Sequence, residues 1–143
     1  MKTEILKEKY LKYNLTKDDV FKHQHYIIIT RSGIEKIQAL EGIEIHYEVI
    51  KCDESFAVVK AKAIKRKVPT NTIQTFGSAL KGKTYQEGNT NTWYVMEMAE
   101  KRAMSRAVLK LCGFYELGVF GEDESEDFKK NNNLNLTIKN KEN

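Results

Sequence analysis

The chain has 143 residues, 41% of them hydrophobic, and a formal net charge of +4. That suits one domain with tails and a modest core. No stretch approaches the roughly 20 apolar residues that a membrane-spanning helix needs. The opening residues MKTEILKEKY lack a signal peptide's apolar centre, so a cytoplasmic protein without membrane contact is expected.

The charge is unevenly spread. Residues 1–120 carry 20 Lys and Arg against 14 Asp and Glu, whereas residues 121–143 carry 4 against 6. The longest acid-free stretch, residues 55–86, holds Lys60, Lys62, Lys65, Arg66, Lys67, Lys81 and Lys83. Such a stretch favours a polyanion, nucleic acid first. Cys52, Cys112 and three histidines show no zinc-like spacing. Reduced thiols, no metal and no cofactor are expected.

Residues 2–13 read as a short amphipathic helix. Thr16, with Asp18 and Asp19 behind it, predicts a helical turn to about Phe21. The β-branched run at residues 26–29 predicts a strand. Ser32 and Glu35 form a capping-box pattern that opens a helix, and Gly42 is placed to close it. Three strands should follow as a meander. In residues 43–49, Ile43, Ile45, Tyr47 and Val49 alternate with polar residues. Residues 53–55 make a turn. Residues 56–67 place Ala57, Val59, Ala61 and Ala63 on a packed face, with Lys60, Lys62 and Arg66 on the other. Pro69 breaks the run, residues 71–80 form a third strand, and residues 81–91 form a loop rich in Gly and Asn.

The longest helical signal spans residues 92–113, TWYVMEMAEKRAMSRAVLKLCG. Thr92 stands where an N-cap belongs, and Gly113 where a left-handed residue closes a helix. One broad side collects Trp93, Met96, Ala103, Met104, Ala107, Val108 and Leu111; Arg102, Arg106 and Lys110 recur every four residues on the other. Val95, Met98 and Leu109 border that row and are candidates for a subunit contact. By itself the pattern fits either a core helix with a solvated basic face or a helix aiming its basic row at phosphates. Residues 114–121, FYELGVFG, are apolar enough to pack back on the domain. The remainder, opening on the acidic run 122–127, has the composition of a disordered tail. The expected divisions are a helical extension at 1–22, an α+β core at 23–120 and a tail at 121–143.

Residues 77–84, GSALKGKT, match the phosphate-loop pattern G-x-x-x-x-G-K-[ST]. That loop works only where a helix opens at its Gly-Lys-Thr and holds the anion at its N-terminus. The following residues, YQEGNTNT, cannot sustain a helix, so nucleotide hydrolysis is disfavoured. Glu97 and Glu100 suit a helix N-terminus better than an acid–base pair. His23, His25 and His46 stand in no catalytic context. The expectation is a non-enzymatic protein.

The core resembles the single-strand annealing proteins: the phage recombinases of the RecT, Redβ, Erf and Sak kinds, and the eukaryotic annealing mediator of the Rad group. Three segments carry the likeness: YIIITRSGIEKIQALEGIEIHYEVI, then SFAVVKAKAIKR with NTIQTFGSALKGK, and above all AEKRAMSRAVLKLCGF. The last bears an A-E-x-R-A-x-x-R-A-hydrophobic signature on the helix after the meander. The resemblance implies a curved three-stranded sheet on a long helix, assembled into rings or filaments, with single-stranded DNA in a basic groove. It implies ATP-independent annealing of complementary strands in phage recombination, in a bacterial host cell. On the helix it assigns the groove to Arg106 and Lys110, with Arg102 a turn earlier. Periodicity adds Lys60, Lys62 and Arg66, and the loop adds Lys81, Lys83 and Tyr85. Tyr85, Trp93 and Phe76 are candidates to stack on bases. The acidic tail would recruit a replication or exonuclease partner, or compete with DNA for the basic face. Three alternatives stand beside this reading: a passive single-stranded DNA-binding protein, an NTPase, and a protein-interaction module that binds no DNA.

Overall fold

The computed structural model describes residues 2–23, 26–82, 88 and 94–124. In chain order the elements are α1 (Lys2–Lys12), β1 (Val20–His23), β2 (Tyr26–Ile29), α2 (Arg31–Glu41), β3 (Ile43–Cys52), β4 (Phe56–Lys65), β5 (Thr72–Leu80), α3 (Val95–Leu111) and β6 (Val119–Gly121). The fold is α+β. The meander β3-β4-β5 is antiparallel throughout and packs on α3, as its alternation requires.

The packing of α3 on the meander follows from small side chains. Ala57, Ala61, Ala63 and Ala79 are fully buried on the sheet, and Ala99, Ala103 and Ala107 on the helix. With so little side chain between them the two backbones approach closely. A Cβ on Gly77 would lie 2.3 Å from the Ala99 carbonyl oxygen and 2.4 Å from the Ala103 nitrogen. Thr75 Oγ1, beside it on β5, donates to the Ala103 carbonyl at 2.7 Å. Gly77 is therefore a strand residue under a helix, not the first glycine of a phosphate loop. Lys83 and Thr84, which complete that pattern, lie outside the described residues.

A second sheet, unforeseen in the sequence, has the order β1-β2-β6, with β2 antiparallel to β1 and parallel to β6. Residues 114–121 do pack back: Phe114 and Val119 are fully buried, and β6 pairs Val119–Gly121 with Ile27–Ile29. The packed chain continues to Glu124, which is 3% exposed. Helix α1 joins the core through Leu6 and, just beyond its end, Tyr13, whose ring lies 5.8 Å from Phe114. Lys9 Nζ donates to the Cys112 carbonyl at 2.7 Å, capping the negative end of α3.

Local expectations need four corrections. Thr16 opens no helix. Asp19 turns back instead, and its carboxylate accepts from the Thr16 backbone N–H at 2.9 Å, which leads the chain straight into β1. The N-cap of α2 is Thr30, whose hydroxyl accepts from Gly33 N–H; Ser32 turns to Asp19. Gly42 closes α2 in the left-handed conformation as expected. Strand β3 runs on to Cys52, but its burial fades after Ile45: Tyr47, Val49 and Ile50 are 43, 54 and 51% exposed. Finally, α3 is described from Val95 with Tyr94 in the cap position and no side-chain cap, while Thr92 and Trp93 lie outside the described residues. Gly113 does adopt a positive φ, 76°.

Among the described residues no helix is long and apolar enough to cross a membrane, and no group of His, Cys, Asp and Glu could hold a metal ion.

Candidate nucleic-acid interface

Strand alternation sorts the candidate residues. Val59 and Ala61 face α3, so Lys60 and Lys62 project from the opposite side of the sheet. Register places Phe76 beside Lys60, Gln74 and His46 beside Lys62, and Leu80 beside Phe56 on that far face. The face is open: Phe76 is 51% and Leu80 40% exposed, and Lys62 is exposed. Lys51 leans over the Phe56 ring at 5.5 Å to its centroid. Lys60 Nζ meets Glu48 at 3.0 Å, in a pair whose acid is 62% exposed. An ion pair that open is weak and readily exchanged. The centre of the meander thus presents ammonium groups next to accessible aromatic and aliphatic surface.

The helix row is placed differently. Arg102 is 3% exposed, and its Nη1 donates to the Asp123 carbonyl at 2.7 Å. Arg106 Nε donates to Glu124 Oε1 at 2.8 Å and its Nη1 to the Phe76 carbonyl at 3.0 Å. Ser105, between them, donates to Asp123 Oδ2 at 2.7 Å. Only Lys110 of the row is exposed, with its ammonium 5.0 Å from the centre of the Tyr115 ring. The expectation that the helix row and the basic strand face confront each other across one groove is corrected. Since α3 covers the odd-numbered face of β4, the sheet itself stands between Arg106 and Lys60. Among the described residues they approach around the outer edge of β5, where Arg106 grips the backbone of Phe76 and Lys60 neighbours its side chain.

The bordering residues Val95 and Leu109 are 3% and 0% exposed and belong to the chain's own core, with Met98 packed against it. Buried there, Val95 and Leu109 offer no surface to a second copy, and Met98 is half-buried. Arg66 is not on the strand face either. It sits in the turn after β4, where its N–H donates to the Gly42 carbonyl at 3.1 Å, and it lines a shallow cleft with Glu35, Gln38 and Ile43. Lys81 closes the end of β5 by donating its N–H to the Ser55 carbonyl. Lys83, Tyr85 and Trp93 lie outside the described residues.

Two features went unread in the sequence. One is the partnership of residues 122–124 with α3. A signal for it existed: Val95, Ala99, Arg102, Arg106 and Leu109 fall on one helical stripe at spacings of 4, 3, 4 and 3. Arginines in a stripe that is otherwise buried need acceptors. The other is the aromatic group on the second sheet, where Phe120 packs edge-on against Tyr26 at 5.7 Å and Tyr115 at 4.9 Å. Tyr26 is distant in sequence from Tyr115 and Phe120, and the β2–β6 pairing brings it to them.

No protein-family model, curated protein or solved structure matches this chain.

Proposed function

We propose that the protein binds single-stranded DNA across the open face of β3-β4-β5, promotes ATP-independent annealing of complementary strands, and assembles on itself to do so. The observation that carries the proposal is the pairing of Lys60 with Phe76, flanked by Lys62, Lys51 and Phe56, on a sheet face left uncovered among the described residues. Ammonium groups on that face neutralise phosphates and release counterions, and aromatic faces accept any base by stacking. Binding of this kind has little sequence preference. It leaves the pairing edges of stacked bases turned toward a second strand, so complementary strands can meet without a covalent step. The resemblance of AEKRAMSRAVLKLCGF to the annealing proteins supports the same reading and suggests phage recombination as its setting.

The test is a fluorescence-anisotropy titration with a labelled oligo-dT at two salt concentrations. The Lys60→Glu/Lys62→Glu double variant should bind at least tenfold more weakly, with a salt slope shallower by about 2. Phe76→Ala should cost about 1–3 kcal/mol of affinity. Circular dichroism of both should remain that of the wild type. Unchanged affinity in both variants rules the face out. A wild type that binds oligo-dT yet fails to speed the pairing of complementary oligonucleotides is a passive strand-binding protein. If it binds no oligonucleotide, the exposed Tyr47, Val49 and Ile50 favour a protein-interaction module.

A further inference from the structure

Residues 122–124 are three consecutive acids, and each carboxylate has its own donor. Glu122 Oε1 accepts from the Arg31 N–H at the start of α2, 2.8 Å away. Asp123 Oδ2 accepts from Ser105 Oγ, and Glu124 Oε1 from Arg106 Nε. Tyr115 OH donates to the other oxygen of Glu124 at 3.4 Å. A negative group at a helix N-terminus, and oxygens fanned toward an arginine fork, are the environments a phosphate diester occupies in nucleic-acid complexes. The segment covers the α3 row at its two arginines and leaves Lys110 outside.

The two arginines are not equivalent. Arg102 is sealed in, bonded to a backbone carbonyl, and acts as an anchor. Arg106 keeps 31% of its side chain exposed and stands at the outer edge of β5, one strand away from Lys60. Exchanging its acceptor from Glu124 to a phosphate leaves no charge on Arg106 unpaired. It sends the Glu124 carboxylate to water, while Asp123 stays bonded to Arg102 and Ser105. We infer that the acidic segment is an intramolecular phosphate mimic that withholds Arg106 until a nucleic-acid backbone displaces Glu124. The inference rests on the strand-binding reading above and adds a regulatory contact at the rim of the same face.

The experiment crosses two substitutions, Glu124→Gln and Arg106→Gln, with oligo-dT anisotropy as the readout. Glu124→Gln keeps an acceptor for Arg106 but removes the competing charge. It should bind roughly fivefold to tenfold more tightly than wild type at low salt, with a slope steeper by about 1. Arg106→Gln should cost little in the wild-type background and abolish the whole gain in the Glu124→Gln background. Equal costs in both backgrounds, or no gain from Glu124→Gln, overturn the inference. A measurement on the wild type guards against misfolding of the variants. Saturating oligo-dT should increase amide hydrogen exchange at Glu124 while Val119–Gly121 stay protected by their pairing with Ile27–Ile29, and unchanged or greater protection at Glu124 overturns the inference too. Wild-type binding that depends on Lys60 and Lys62 but ignores Glu124 leaves strand binding standing and removes only the mimic. Absence of binding in wild type and Glu124→Gln alike removes both.

Discussion

Gly77 shows how one missing methyl group sets the spacing of two elements. Its neighbour across β4 is Val59, and above it run the backbone atoms of Ala99 and Ala103. Gly77→Ala forces a carbon to within 2.4 Å of backbone that has no rotamer with which to yield. The expected cost is about 3 kcal/mol, read as a lower urea midpoint. Asp19 does comparable work with charge. It is 3% exposed, and its carboxylate accepts from the Lys36 ammonium at 2.6 Å, the Thr16 N–H and hydroxyl, and the Ser32 hydroxyl. The Lys36 hydrogen bond, then that from the Thr16 backbone, hold its pKa far below the ordinary aspartate value despite burial. Stability from a depressed acid is whole above the unfolded pKa of about 4 and drains as pH falls toward the folded value. Wild type should therefore lose thermal stability steadily below about pH 4. Asp19→Ala should be less stable by about 2–3 kcal/mol at pH 7 and lack that part of the acid dependence. Parallel acid slopes for the two proteins would show that Asp19 contributes nothing to it.

At the scale of elements, legibility followed local pattern. Helix α3 and strands β4 and β5 were readable because helix propensity and two-residue alternation are written in consecutive residues. Strand β1 was not, because Thr16, Asp18 and Asp19 are equally good at opening a helix and at making a turn. The choice is made by Lys36 and Ser32, which reach Asp19 from α2. Strand β6 has three residues and exists only through its parallel pairing with β2, a contact about 90 positions away. The same limit governed the candidate interface. Lys60 and Lys62 stand on an exposed face as their even spacing implied. Spacing every fourth residue puts Arg102 and Arg106 in one row and says nothing about what covers it. Their acceptors come from residues 122–124, beyond β6 and outside any window that shows α3 as a helix.

At the scale of the whole molecule, one end of the main sheet is left unfinished among the described residues. Strand β3 is an edge, and past Ile45 it has little core beneath it: Tyr47, Val49 and Ile50 stand about half exposed around a register shift between Val49 and Lys51. An edge carrying apolar side chains invites a further strand or face, and a bulge restrains that pairing without covering the apolar surface. A second copy of the chain would meet the need, and the proposed annealing would spread one DNA strand over several copies. Wild type should therefore run above its monomer mass of 16.6 kDa in native mass spectrometry. Val49→Lys/Ile50→Lys should shift it toward monomer with unchanged circular dichroism, because neither residue supports the core. The monomer should keep much of its affinity for a short oligo-dT, since Lys60 and Phe76 are untouched, and lose most of its acceleration of pairing between complementary strands. A wild type that anneals strands as a monomer would separate the activity from assembly and leave the β3 edge without that role.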